Sequence, residues 1–122
     1  MARRIVLVDD DVAIRRAVAR LLQAHSYEVR TFSSAGDLLN SLDHEIPDCL
    51  IVDLAMDGMT GLELLRHLSR TGLKIPAIVC TAHDGARRRC ELAGARAFLT
   101  KPVDGHSLLE AIEAAISAAE PR

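Results

Sequence analysis

Side chains that could do chemistry stand directly after four short apolar runs of the chain: Asp9 and Asp10, Asp53, Thr81, and Lys101. If these runs are parallel strands, their carboxyl ends meet at one edge of a sheet, where open α/β sheets bind ligands. Three carboxylates in one place repel one another and resist simultaneous ionisation unless a cation is present. Mg²⁺ suits such a cluster because it prefers oxygen ligands and binds one or two protein carboxylates together with a phosphate oxygen. The pattern therefore predicts a magnesium-assisted phosphoryl-transfer site.

Lys101 and Thr81 add a positive charge and a hydroxyl donor to this predicted site. Together with the metal they could neutralise the charge that builds on the oxygens of a transferring phosphoryl group, and Asp53 would be the attacking carboxylate. Taken singly, each residue has a simpler interpretation as a helix cap, a turn residue or solvated charge. Their joint placement at the ends of strands favours the chemical interpretation.

The elements that would position these residues follow from the hydrophobic pattern. Short apolar runs alternate with longer segments of helical period, as expected for βα units on a parallel sheet covered on both faces. The predicted strands are residues 5–8, 27–32, 49–52, 77–80 and 97–99. The predicted helices begin at the capping residues Asp11, Ser34, Thr60 and Asp104, with a short fourth helix over residues 86–93 that Gly94 closes. All crossover connections should be right-handed.

Length, composition and charge limit the class of protein. A chain of 122 residues, 49% of them hydrophobic, can form one core without metal or disulfide staples, so we expect one domain over residues 1–122, with 119–122 as a frayed tail or linker start. Cys49, Cys80 and Cys90 form no C-x-x-C pair, which favours a reduced, cytoplasmic protein. The apolar run near the N-terminus is too short for a signal peptide or a membrane span, so we expect neither export by that route nor membrane insertion. A net charge of −2, and no aromatic residue among the arginines at 87–89, argue against direct nucleic-acid binding.

Five strings in this chain resemble the receiver domains of bacterial two-component systems: VLVDDD at 6–11, VDL at 52–54, MTGLEL at 59–64, TA at 81–82 and AFLTKP at 97–102. The resemblance covers essentially the whole chain. It implies a flavodoxin-like (βα)5 fold, which is a doubly wound, parallel, five-stranded sheet in the strand order 2-1-3-4-5. It also implies a signalling switch that is not a conventional enzyme but catalyses its own phosphorylation and dephosphorylation at Asp53.

The resemblance assigns roles to individual residues. It implies a set of Mg²⁺ ligands: Asp9, Asp10, Asp53 and the carbonyl of Ala55. Asp53 would be the phosphoacceptor, Lys101 would contact the phosphoryl group, and Thr81 would be the switch hydroxyl. Phe98 would be the aromatic residue whose inward or outward rotamer reports activation. The peptide bond between Lys101 and Pro102 would be cis, which would aim the lysine into the site.

The same resemblance implies partners. The phosphoryl group would come from a sensor histidine kinase or a histidine phosphotransfer protein. A downstream output domain or protein would bind the face formed by the fourth helix, the fifth strand and the fifth helix. Phosphorylation could also drive formation of a homodimer. Neither nucleic acid nor membrane is an expected direct partner.

Three features depart from the family pattern. Met56 is followed by Asp57 where the family usually has proline, so the loop is expected to be looser and to carry one more carboxylate near the site. The stretch from Thr81 to Gly94 is slightly shorter than expected, which predicts a short or displaced fourth helix. His83 and Ala55 occupy positions that tune dephosphorylation in the family, although an exposed loop residue is the simpler interpretation of His83.

Alternative functions remain open at this stage. A pseudo-receiver would keep the fold as an interaction module without phosphorylation, which the complete set of site residues argues against. A haloacid-dehalogenase-type phosphatase would also use an Asp nucleophile and Mg²⁺, but it has a D-x-D pattern, and here Asp53 is followed by Leu54 and Ala55. A flavodoxin-like carrier would bind phosphate after the first strand, where the three acids of this chain would repel it.

Overall fold

Strands and helices alternate along the residues that the computed structural model describes, which are 2–83 and 85–119. The strands of this part of the chain are β1 (Arg4–Val8), β2 (Glu28–Phe32), β3 (Cys49–Val52), β4 (Ala77–Thr81) and β5 (Ala97–Thr100). The helices are α1 (Val12–Ala24), α2 (Ala35–Ser41), α3 (Gly61–Thr71), α4 (Arg87–Leu92) and α5 (Gly105–Ala119). All strands pair in parallel, in the order β2-β1-β3-β4-β5. The predicted α/β fold class and flavodoxin-like strand order are therefore confirmed.

The central strands are apolar on both faces because helices cover both sides of the sheet. Every residue of β3 and β4 is buried. On one face, Val52 and Val79 pack with Leu64 of α3, and α2 and α4 complete the layer. On the other face, Ile51 packs with Leu22 of α1 and the apolar side of α5. Burial of a side chain such as Leu64 contributes about 1.5–3 kcal/mol, so the two apolar layers fix the strand ends relative to one another.

Side-chain caps fix where the helices begin. The Asp11 carboxylate accepts hydrogen bonds from the backbone N–H groups of Ala13 and Ile14, at 2.8 and 3.3 Å, which starts α1 immediately after the first strand. Thr60 and Glu63 form the predicted capping box of α3, with reciprocal side-chain to backbone bonds of 3.2 and 3.0 Å. These N–H donors have no partner within the helix, so each cap stabilises the point at which a βα loop ends.

Several predicted boundaries shift by one residue. Tyr27 lies before β2 rather than in it, because its N–H donates to the Leu22 carbonyl and closes the turn after α1. β4 extends to Thr81, which pairs in register with Thr100 of β5. The fourth helix is short, as predicted, with six residues and no side-chain cap at Ala86.

The last described residue, Ala119, belongs to α5. The other residues of the predicted tail, 120–122, lie outside the described part of the chain. No helix among the described residues is both long enough and apolar enough to cross a membrane.

Candidate functional site

The carboxyl ends of three neighbouring strands carry buried polar side chains. Asp9, Asp53 and Thr81 are 1%, 6% and 0% exposed. Val8 pairs with Val52, so Asp9 and Asp53, which follow them, stand side by side. Burial of polar groups costs free energy unless they form hydrogen bonds or ion pairs. These side chains therefore need hydrogen-bonding or charged partners at the same edge of the sheet.

Lys101 is the partner of both buried carboxylates. Its Nζ lies 2.8 Å from Asp9 Oδ2 and 3.2 Å from Asp53 Oδ2, and its side chain is 17% exposed. Desolvation lowers the pKa of Lys101, but the hydrogen bonds to the two carboxylates raise it, and the net shift is upward. The peptide bond to Pro102 is cis, as the resemblance implied. The structure thus brings this lysine together with two of the strand-end acids.

Asp10 brings a third carboxylate to the same place. One oxygen from each of Asp9, Asp10 and Asp53 lies within 4.8 Å of the others, with Asp10 exposed and the other two buried. A cluster of carboxylate oxygens that is open on one side fits a hard cation such as Mg²⁺, which retains several of its water ligands. The predicted ligand Ala55 lies in the next turn, where its N–H donates to Asp53 Oδ1 at 3.3 Å. Asp57 is exposed and does not belong to this cluster of the described acids.

Thr81 and Phe98 lie on the α3 and α4 side of the sheet. Thr81 Oγ1 accepts a long hydrogen bond of 3.4 Å from the N–H of His83, which is itself exposed as expected. Phe98 is 6% exposed and belongs to the apolar layer that includes Val79, so its ring points inward in this structure. The guanidinium carbon of Arg87 lies 4.9 Å from the ring centroid. A cation over a ring face is attracted to it, so α4 is held against the predicted switch residue.

Two residues that support the site were missed from the sequence. Arg15 Nη1 donates to the Asp9 carbonyl at 2.7 Å, which ties α1 to the end of β1. Gly61, the first residue of α3, faces the backbone of Asp53, and a Cβ there would lie 2.3 Å from the Asp53 carbonyl oxygen. Any side chain at this position would therefore displace the backbone of Asp53. The glycine beside the capping box was the available signal, but the backbone it approaches could not be read from the sequence.

An apolar cleft of about 440 Å³ adjoins the carboxylates on the α1 and α5 side of the sheet. Asp9, Asp53 and Lys101 form its polar end. The rest of the lining is apolar: Leu7, Ile14, Ala17, Val18, Ile51, Cys80, Pro102, Val103 and Leu108. Burial raises the pKa of the Cys80 thiol to about 12, so this cysteine is an apolar wall and not a nucleophile.

Comparison with known proteins gives one consistent result. The model of the response regulator receiver domain family matches residues 5–113. The chain is 35% identical over 118 residues to the transcriptional regulatory protein TdiR of Thauera aromatica. The matched segment covers 95% of this chain and 52% of TdiR. The chain thus spans about half the length of that relative.

Solved structures agree with the sequence comparison. A CheY-like response regulator receiver domain protein from Methanospirillum hungatei JF-1 superposes with a TM-score of 0.90 at 29% identity, covering 97% of this chain and 96% of that one. The BeF₃-activated DrrB receiver domain superposes with a TM-score of 0.85 at 28% identity, covering 96% of this chain and 99% of that one. With its parallel sheet, its carboxylate cluster and its bridging lysine, the chain belongs to the response regulator receiver domain family of two-component signalling.

Proposed function

We propose that this receiver domain accepts a phosphoryl group on Asp53 from a sensor histidine kinase or a histidine phosphotransfer protein, in a reaction that requires Mg²⁺. The observation that carries the proposal is the Lys101 ammonium between Asp9 and Asp53, with Asp10 beside them. A structural ion pair would need one carboxylate. Here Lys101 contacts two carboxylates and Asp10 adds a third beside them, which leaves net negative charge that a metal ion would balance before a negatively charged phosphoryl group arrives.

The proposed reaction transfers phosphorus from nitrogen to oxygen. A carboxylate oxygen of Asp53 attacks phosphorus, the O–P bond forms as the P–N bond of the phosphohistidine breaks, and the electron pair of that bond stays on the imidazole nitrogen. Lys101 sits 3.2 Å from Asp53 and can follow the negative charge onto the phosphoryl oxygens. The Ala55 N–H holds the other Asp53 oxygen and so orients the carboxylate.

The residues present also fit a magnesium ion. Asp9, Asp10, Asp53 and the Ala55 carbonyl are the proposed ligands, and the bound ion would supply positive charge opposite the transferring group. Mg²⁺ affinity should therefore fall severely in Asp10→Ala, because few protein ligands hold the ion. Isothermal titration calorimetry measures this, and an unchanged affinity would contradict the assignment of Asp10 as a ligand.

The apolar cleft supports a protein donor. It ends at Asp53 and offers the partly exposed flank of Ile14, Ala17 and Val18 beside the acceptor. A donor helix that buries an apolar side chain in the cleft would bring its phosphohistidine to the carboxylate without any contact to the opposite face of the sheet. Within this proposal, α1 recognises the donor and the face of α4, β5 and α5 remains available to an output domain or to a second phosphorylated copy.

Phosphorylation would be transmitted through Thr81 and Phe98. The Thr81 hydroxyl accepts one long hydrogen bond, from His83, and its proton has no acceptor among the described residues. A phosphoryl oxygen on Asp53 would provide one, and the resulting shift of Thr81 would open space beside the ring of Phe98. A bond that exists only in the modified state can bias a two-state equilibrium.

We place this activity in the cytoplasm and favour it over the two alternative functions. The buried, free cysteines support a reducing compartment such as the cytoplasm. A phosphatase of the haloacid-dehalogenase type is disfavoured because it has a second Asp two residues after the nucleophile, and this chain has Ala55 there. A pseudo-receiver would accept no phosphoryl group on Asp53, so an experiment that labels the protein with a phosphodonor also tests that alternative.

The experiment is labelling with acetyl phosphate and Mg²⁺, followed by intact mass spectrometry. We expect one phosphoryl group on the wild-type protein and none on Asp53→Asn. Asp57→Asn is the matched control, because Asp57 is an exposed acid four residues away in the same loop. Retained labelling in Asp53→Asn would overturn the acceptor assignment, and an unlabelled wild-type protein would favour the pseudo-receiver.

A further inference from the structure

A basic groove lies between α3 and α4, away from the proposed phosphorylation site. It has a volume of about 290 Å³ and is lined by Arg66, Ser69, Arg70, Arg89, Leu92 and Ala93. Three arginines from two helices thus line one hollow, and no acidic residue lines it. The groove lies on the α3 and α4 side of the sheet, opposite the apolar cleft.

The three arginines are available to a ligand. All are exposed, and within residues 2–83 and 85–119 none of them makes an ion pair or a side-chain hydrogen bond. Arg66 and Arg70 are four residues apart on α3, so their like charges repel each other across one helix face. Arg66 and Arg89 both act on the buried thiol of Cys90, whose pKa is raised by burial and lowered by the two guanidinium groups. Glu91 acts in the opposite direction on the same thiol.

A second hollow, of about 430 Å³, continues the groove. It shares Ser69 and Ala93 with the first hollow and adds Lys74 and Arg96 to the lining. No acidic side chain lines this hollow either. The linings of the two neighbouring hollows together contain five cationic residues, so the arrangement matches an anion with more than one charged group.

We propose that this α3–α4 groove binds a small ligand with two or more phosphate groups, such as a nucleoside diphosphate. Guanidinium groups match phosphate oxygens in paired, charge-assisted hydrogen bonds, which favours phosphate over a single carboxylate. Leu92 is 75% exposed at the rim and offers an apolar contact to the nucleoside. The lining contains no aromatic side chain on which the bases of a nucleic-acid strand could stack, and the net charge of the chain is −2, so a small ligand fits better than a nucleic acid.

The test is a titration of the ¹⁵N-labelled protein with pyrophosphate and with ADP, in buffer that contains EDTA and no Mg²⁺. We expect saturable NMR shifts at Arg66, Ser69, Arg70 and Arg89. Binding of both probes should weaken about tenfold in Arg70→Gln and in Arg89→Gln, the loss expected for one charge-assisted contact. Arg20→Gln, at an exposed arginine of α1, is the matched control and should bind both probes normally.

Two further variants separate the sources of binding. If the nucleoside contacts the rim, Leu92→Ser should weaken the binding of ADP but not that of pyrophosphate. Equal affinities of the wild-type protein for the two probes would show that the groove binds only the phosphate groups. Asp53→Asn should bind both probes as wild type does, which makes this test independent of the proposed phosphorylation. Shifts that sodium sulfate reproduces at equal ionic strength, or that persist in Arg70→Gln and Arg89→Gln, would overturn the proposal.

Discussion

Replacing Lys101 with methionine should destabilise the domain in the absence of Mg²⁺ and make its stability depend more strongly on Mg²⁺. The Lys101 ammonium lies 2.8 Å from Asp9 and 3.2 Å from Asp53, and the side chains of these acids are only 2% and 8% exposed. Methionine keeps the unbranched apolar stem of the side chain but lacks the terminal ammonium group and its charge. Two buried carboxylates then lose their cation, and Asp10 adds a third negative charge beside them.

The size of the effect follows from the distances. The clustered oxygens lie within 4.8 Å of one another, and two unit charges at that separation repel by about 3.5 kcal/mol at an effective dielectric constant of about 20. Removal of one partner from a buried ion pair typically costs about 3–5 kcal/mol. Because Lys101 retains some solvent contact, we expect the lower end, about 3 kcal/mol. That is a large share of the roughly 5–15 kcal/mol that stabilises an ordinary domain.

Urea unfolding followed by circular dichroism measures this loss. In EDTA the variant should unfold with a free energy about 3 kcal/mol below that of wild type. Mg²⁺ should recover more stability in the variant than in wild type, because the ion replaces the missing charge, and an ion at one hundred times its Kd adds about 2.7 kcal/mol. Lys74→Met, at the other lysine of the sequence, should stay within about 0.5 kcal/mol of wild type. Equal unfolding of Lys101→Met and wild type in EDTA, or a loss that Mg²⁺ leaves unchanged, would refute the reasoning.

Three further predictions follow from the packing. Gly61→Ala should lower the free energy of unfolding by about 1–3 kcal/mol and slow acetyl-phosphate labelling, because the new Cβ must displace the backbone of Asp53. A Cβ at Gly36 meets no atom within 4 Å, so Gly36→Ala should be labelled at the wild-type rate, and equal rates for the two variants would contradict the close contact at Gly61. Thr81→Ala should still be labelled on Asp53 but should lose most of the NMR shifts that BeF₃⁻ induces in α4. One hydrogen bond to a charged group contributes about 1.5–3 kcal/mol to the equilibrium between the two conformations, so a full response of α4 in this variant would exclude the hydroxyl as the coupling element. Burial raises the pKa of the Cys49 and Cys80 thiols from 9.0 to about 12 in the folded state. The unfolded state therefore loses these protons at a lower pH than the folded state does, and the free energy of unfolding should fall as the pH rises from 9 towards 12. The slope approaches about 1.4 kcal/mol per pH unit for each thiol, and Cys49→Ala should flatten the pH dependence of the urea midpoint; an unchanged slope would contradict the raised pKa.

Local chemistry explains why the sequence alone determined most of the elements. The third strand was predicted with its observed bounds because a short apolar run, Cys49–Val52, is bracketed by the polar residues Asp48 and Asp53. The start of α3 was equally readable, since a capping box needs only Thr60 and Glu63 at the right spacing. The strand order 2-1-3-4-5 came from the family resemblance, because periodicity shows which residues face a core but not which strands are neighbours.

Only the tertiary structure decided how the site and the groove are assembled. Lys101 is 92 residues from Asp9 and 48 from Asp53, and the contact exists because β5, two strands away from β3, directs its C-terminal loop across the end of the sheet. The approach of Gly61 to the Asp53 backbone depends on how α3 packs against the sheet, to within a few tenths of an ångström. The arginines of α3 and α4 are unremarkable surface residues in the sequence and share one hollow only after both helices pack on the same face. Residue types and their spacing specify local conformation, whereas these distances are set by the packing of elements that are remote in the chain.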